Sequence, residues 1–125
     1  MFNFSGKRPD NLGVTNGQLA ACPGSPNCVN SQSDKDQSKI APLPGVSIAQ
    51  IAEIVKSMER TNIVEQTDSY LYAEFTSKLM GFVDDVEFYR DDAANVVQVR
   101  SASRLGQSDA GVNRKRVEEI RSKLT

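Results

Sequence analysis

The chemistry-bearing residues of this chain concentrate between Arg100 and Arg116, where it reads RSASRLGQSDAGVNRKR. Five of these residues are Arg or Lys, two are Gly, and Ser101, Ser103, Ser108, Asp109 and Asn113 fill most of the gaps. Guanidinium groups, hydroxyls and amides at this density suit the binding of an anion or the bracing of a polar junction. A second group, Asp84 and Asp85 in FVDDVEFY, supplies the carboxylates that such cations would meet. A third is CPGSPNC, Cys22 to Cys28, in which two prolines and Gly24 hold a tight loop. Its sulfurs read as reduced thiols, as a disulfide, or as half of a zinc site lacking two ligands; spacing alone leaves these open.

Composition narrows the chemistry. There is no His among the 125 residues, which excludes Ser-His, Cys-His and His-rich metal sites. Proton transfer would fall to Asp, Glu, Lys, Tyr or Cys. With no Trp and few aromatic residues, an extended base-stacking surface is not expected. The 15 basic and 16 acidic residues nearly cancel, against a general affinity for nucleic acid. No apolar run approaches the roughly 20 residues that span a bilayer. The start, MFNFSGKRPDNLG, lacks a basic segment followed by an apolar one, so no signal peptide is expected and the cytoplasm is the expected location. No motif calls for a cofactor or metal, and oligomeric state is not legible.

The elements that position these groups follow from periodicity. Residues 1–46 carry no sustained pattern and read as a long irregular N-terminal arm, loose over 1–20, with one domain over 21–125. Ser47 and Gln50 form a capping-box pattern, with Val46 and Ile51 as a hydrophobic staple. Ile48, Ile51, Ala52, Val55 and Met58 then predict a helix to about Arg60. Strands are predicted over 63–66, 70–77, 82–90 and 96–103, with turns at TDS and DDAAN. Val117, Ile120 and Leu124 give a closing helix its apolar stripe. The predicted fold is α+β: an antiparallel four-stranded meander flanked by an N-terminal and a C-terminal helix.

Placing the last hairpin turn near Ala93 sets Asp84 opposite Ala102, with Arg100 and Arg104 diagonal to it on one face. An ion pair between Asp84 and one of these arginines is then expected, and Asp85 points the other way, toward Ser101 and Ser103. Such a pair either closes the sheet or lines a polar cavity for a charged ligand. A slip of one residue exchanges the faces. Ser108 or Asp109 is expected to cap a helix starting near Ala110, where Arg104 and Arg114 make an anion site a second reading. Asn113 falls on the apolar stripe and is expected to fix a neighbouring loop. Arg114, Lys115 and Arg116 read as a solvated face. The run Leu79 to Val83 reads as a core crossing if buried and as a partner edge if exposed.

The segments CPGSPNCVNSQ, FTSKLMGFVDDVEFY and RSASRLGQSDAGVNRKRVEEIR resemble the signature of a bacterial and plastid family. It is catalogued as a domain of unknown function (family 1499), with cyanobacterial members prominent. The resemblance runs from about residue 20 to the end. It implies that Cys22, Cys28, Asp84, Asp85, Arg100, Ser101, Arg104, Ser108, Asp109, Asn113 and Arg116 occupy motif positions, but it brings no reaction. Two positions depart from the family's pattern: Gln37, Ser38 and Lys39 stand where a His is usual, and Gln107 where Tyr is common. Three readings follow. One is a binding or accessory domain whose Asp/Arg face holds an anionic small molecule or a partner segment. Another is a His-free enzyme using Asp84 or Asp85 as general acid or base, with Arg100 steadying charge. The last is a structural interaction protein without a ligand.

Overall fold

The computed structural model describes residues 5–124. The chain enters through two short strands, β1 (Cys28–Asn30) and β2 (Leu43–Pro44), before helix α1 (Ile48–Ser57). Strands β3 (Thr61–Gln66), β4 (Tyr70–Thr76), β5 (Val83–Asp91) and β6 (Val96–Ser103) follow, then helix α2 (Val112–Ser122). The named strands pair antiparallel, in the order β1-β6-β5-β4-β3, with β2 also on β6. The α+β class is as expected, but the sheet has six strands rather than four. A strand of two or three residues shows no alternation, so neither extra strand left a periodic signal.

Ser47 caps α1 by accepting a 3.1 Å hydrogen bond from the Gln50 amide. The helix stops earlier than its apolar stripe suggests, because Met58 is extended and Arg60 is left-handed. Ile48, Ile51 and Val55 of α1 and Val117 and Ile120 of α2 form one core with Leu71, Ala73, Val86, Phe88, Val97 and Val99. These strand residues alternate, so both helices cover one face of the sheet.

The second face is covered by the N-terminal arm. Leu12 and Val14 pack near Leu19, Tyr70 and Tyr72, and the Gly13 amide donates to Glu87. Two covered faces explain why Val83 to Phe88 are buried without interruption. The run before them lies outside: Leu79 is 90 % exposed, and Met80 and Phe82 are exposed too. It is a surface element, not a core crossing.

The β5–β6 register corrects the sequence reading by one residue. Asp84 faces Ser103 and Asp85 faces Ala102. The four-residue turn 92–95 is held by Asp91 accepting from the Ala94 amide and by Arg90 donating to Asn95. The reason for the register is apolar matching. It sets Phe88 opposite Val99 and keeps Val86, Phe88, Val97 and Val99 under the helices, whereas the expected register would put Phe88 beside Gln98.

Candidate functional site

Asp84 keeps the face of Val86 and Phe88, but the slip exchanges the β6 residues that Asp84 and Asp85 meet. On the helix face, Asp84 meets neither Arg100 nor Arg104; it pairs with Arg116 at 2.8 Å. Arg116 also donates to Ser101 and Asn113, and its guanidinium lies 4.9 Å from the Phe75 ring centroid. It is thus an inward residue rather than part of a solvated face. Asn113, fully buried, accepts from the Ser101 hydroxyl at 2.6 Å and donates to Ser103, Asp109 and the Asn27 carbonyl. The loop it ties down is the one carrying the cysteines.

The strand-to-helix turn completes this network. Ala110 and Gly111 are both left-handed, so α2 starts at Val112 rather than near Ala110. Asp109 serves the helix start by accepting from the Gly111 and Asn113 amides. Burial pushes its carboxyl up, but these bonds and that from the Asn113 side chain together hold it below its ordinary value. The positive helix end is thereby met from within the chain by Asp109, and the two arginines expected beside it are held by other partners. Arg114 is engaged by the Lys39 and Gln37 carbonyls, and Arg104 lies on the other face. Ser108 is exposed and only accepts a long bond from Ala110. Gln37, one of the family departures, donates to the Gly24 carbonyl.

The arm face gathers the other motif residues. Arg104 grips Asp85 with two bonds of 2.9 Å and also reaches Glu74. Tyr72 donates to the same Asp85 oxygen that accepts from Arg104, and burial followed by that bond raises its phenol pKa. The bonds it donates to Asp85 first, opposed by burial and supported by those to Glu74, hold the Arg104 guanidinium firmly charged. Burial pushes Glu74 up, yet Arg8, Arg104 and Asn62 together keep it below its ordinary value. These partners were missed from sequence. The alternation Tyr70, Tyr72, Glu74 against Asp85, Glu87 was the available signal, since it stacks polar groups on one face.

Beside this network Arg100 is differently placed. Its side chain is 6 % exposed, its Nη1 stands 3.9 Å from Glu87, and its Nη2 makes a long 3.4 Å bond to the Ala21 carbonyl. Its Nε and the Glu87 Oε1 are buried and find no hydrogen-bond partner among the described residues. Burial lowers the pKa of Arg100 and raises that of Glu87, in the latter against bonds from Tyr70 and Gly13. A guanidinium has five donors, and leaving them unmet in a buried site is costly.

Arg100 lines a cavity of about 420 Å³ between the sheet and the arm. Lys7 and Asn11 come from the arm, Cys22 from the loop, and Asp85 and Arg104 from the sheet. Cys22 and Cys28 are joined as a disulfide, which anchors this wall to β1. Of the expected site residues, the cavity therefore brings together Asp85, Arg100 and Arg104. Asp84, Ser101, Asp109, Asn113 and Arg116 meet instead on the helix face. Among the described residues no group of three or more Cys, Asp or Glu side chains is placed to hold a metal ion, and no helix is long and apolar enough to cross a membrane.

The fold and site thus define a small α+β domain with a polar cavity under an N-terminal arm. The family described as Protein of unknown function (DUF1499) matches residues 18–124, and the chain belongs to it. No curated protein and no solved structure matches the chain.

Proposed function

We propose that this is a ligand-binding domain whose cavity under the arm takes an anionic small molecule on Arg100. The observation that carries the reading is the buried guanidinium with an unpartnered Nε beside a cavity large enough for a ligand. An anion would supply the acceptor that the chain does not, and charge-assisted bonds to a guanidinium are among the stronger ones. A concave site fits a small molecule better than a partner segment. In this reading Asp85 and Arg104 are a wall held in place by each other. Both Asp85 oxygens are engaged, which leaves it poorly suited to act as a general base. Asp84 is spent on Arg116 across the sheet. The helix-face residues brace the fold that holds the cavity, a structural part for Ser101, Asp109, Asn113 and Arg116. The disulfide suits an oxidising compartment better than the cytoplasm expected from sequence.

A thermal-shift series with carboxylates and phosphates, run on the full chain and on Arg100→Lys, tests this. Binding at a hundred times Kd would stabilise the fold by about 2.7 kcal/mol, on the order of ten degrees in Tm for a domain of this size. Lysine keeps the charge but loses the planar fork. A shift of equal size in the variant, or none in either protein, would remove Arg100 from the proposal.

A further inference from the structure

The same cavity constrains what kind of anion it holds, and this inference rests on the binding reading above. We infer that the ligand is a small organic acid with an apolar middle and two anionic ends, one seated on Arg100 and the other reaching Lys7.

Size excludes a bare inorganic ion as the filling occupant. The cavity is about 420 Å³, against roughly 30 Å³ for the share of one water in the liquid and about 300 Å³ for the smallest usual ligand sites. Phosphate or sulfate would leave most of it to solvent. The wall chemistry agrees. Between the charged groups stand Pro9, Ala21, Pro23 and Ala102, all small and apolar, together with a disulfide sulfur that does not titrate. Such walls suit methylene or ring carbons.

Charge fixes the ends. Three cations and one carboxylate line the cavity. Arg104 is spent on Asp85 and Glu74, so its charge is matched within the chain. Lys7 is left for a ligand, and so is Arg100, whose one carboxylate neighbour, Glu87, stands 3.9 Å away and leaves its Nε without an acceptor. Arg100 is the inner one, nearly closed to solvent. Lys7 is the outer one, exposed on the arm and without an ion-pair partner among the described residues. An inner cation that is buried and an outer one that is wet call for unequal contributions. The inner end should supply most of the affinity and the outer end a smaller increment. Asn11, on the same arm, adds an amide donor at the wall.

Calorimetric titration of the full chain with adipate, hexanoate and inorganic phosphate, at constant ionic strength, reads this out. Adipate should bind about two- to fivefold more tightly than hexanoate, the increment of one exposed ion pair, and phosphate should bind most weakly. Lys7→Gln should bring adipate to the hexanoate level and leave hexanoate unchanged. Ala21→Trp, at an exposed wall position, should block both acids while leaving the Arg100 side chain itself unchanged. Phosphate binding as tightly as adipate, or an adipate preference that survives Lys7→Gln, would overturn the two-ended organic acid while leaving an anion site on Arg100. Failure of all three probes, with no thermal shift from any anion, would overturn the binding reading as well.

Discussion

Replacing Asn113 by Ala should destabilise the fold more than almost any other polar substitution in the chain. Asn113 is fully buried and joins α2 to β6, to the strand-to-helix turn and to the cysteine loop through five side-chain bonds. Not all of its partners would be orphaned. The Asn27 carbonyl keeps the Ser103 amide, Asp109 keeps two backbone amides, and Arg116 keeps Asp84. The Ser101 hydroxyl, however, loses its only acceptor at a fully buried position, and Ser103 loses the donor that faces it. The unmet Ser101 donor, at about 1–3 kcal/mol, together with the other lost bonds and the packing of the Asn113 side chain, gives a loss of about 3 kcal/mol, a large share of the roughly 5–15 kcal/mol that a domain has. Urea unfolding should show the midpoint falling by on the order of 1–2 M with the slope unchanged. Adding Ser101→Ala to that variant should cost little more, because the unmet hydroxyl donor goes with it. A loss under about 1 kcal/mol, or full additivity of the two substitutions, would refute the view that this motif is a coupled brace.

Other outcomes follow from the arm face and the turns. Burial raises the Glu87 pKa above its ordinary 4.5, so its neutral form is favoured in the fold; that contribution is full below 4.5 and lost as pH rises through the raised value. Protonation also removes a negative neighbour of Arg100. Affinity for hexanesulfonate, which stays ionised, should therefore rise as pH falls from neutral toward 4.5, and Glu87→Gln should flatten that slope; equal slopes would contradict it. Glu74, held below its ordinary value, stays charged in this window and does not contribute to the slope. Reducing the Cys22–Cys28 bridge opens a ring of seven residues, which should lower stability by about 2 kcal/mol in a melt with reductant. It should also weaken anion binding, since Ala21, Cys22 and Pro23 line the cavity; unchanged affinity would detach the loop from the site. Gly45→Ala would drive a methyl into the Asn95 carbonyl, and a loss of about 1–3 kcal/mol is expected on chemical unfolding.

Much of the fold was legible because its signals are periodic or local. The α1 stripe and its Ser47 cap, four strands and the closing helix all carry spacing that only one geometry satisfies. The inward Asn113 was legible for the same reason, as a polar residue on an apolar stripe. What failed was the register of one hairpin. The turn length was misjudged by one residue, and with period-two alternation that exchanged the environments of Asp84 and Asp85. The deciding information was in the sequence all the same. Val86 and Phe88 needed Val97 and Val99 as face-mates, and a turn chosen by that criterion puts Asp85 with Arg104. Long-range partners were not legible. Nothing in the spacing ties Arg116 to Asp84, Gly13 to Glu87 or Arg8 to Glu74, because loop and arm paths decide those contacts.

In the function proposed here, Arg100 is held buried for an anion to use. The most direct measurement observes its Nε–H by nitrogen–proton NMR during a titration with adipate. This one guanidinium signal should move downfield and exchange more slowly with water, as Nε gains an acceptor, while that of Arg104, whose Nε already donates to Asp85, and that of Arg116, paired with Asp84 on the helix face, stay in place. An unmoved Arg100 signal at saturating adipate, or equal movement of all three, would contradict it.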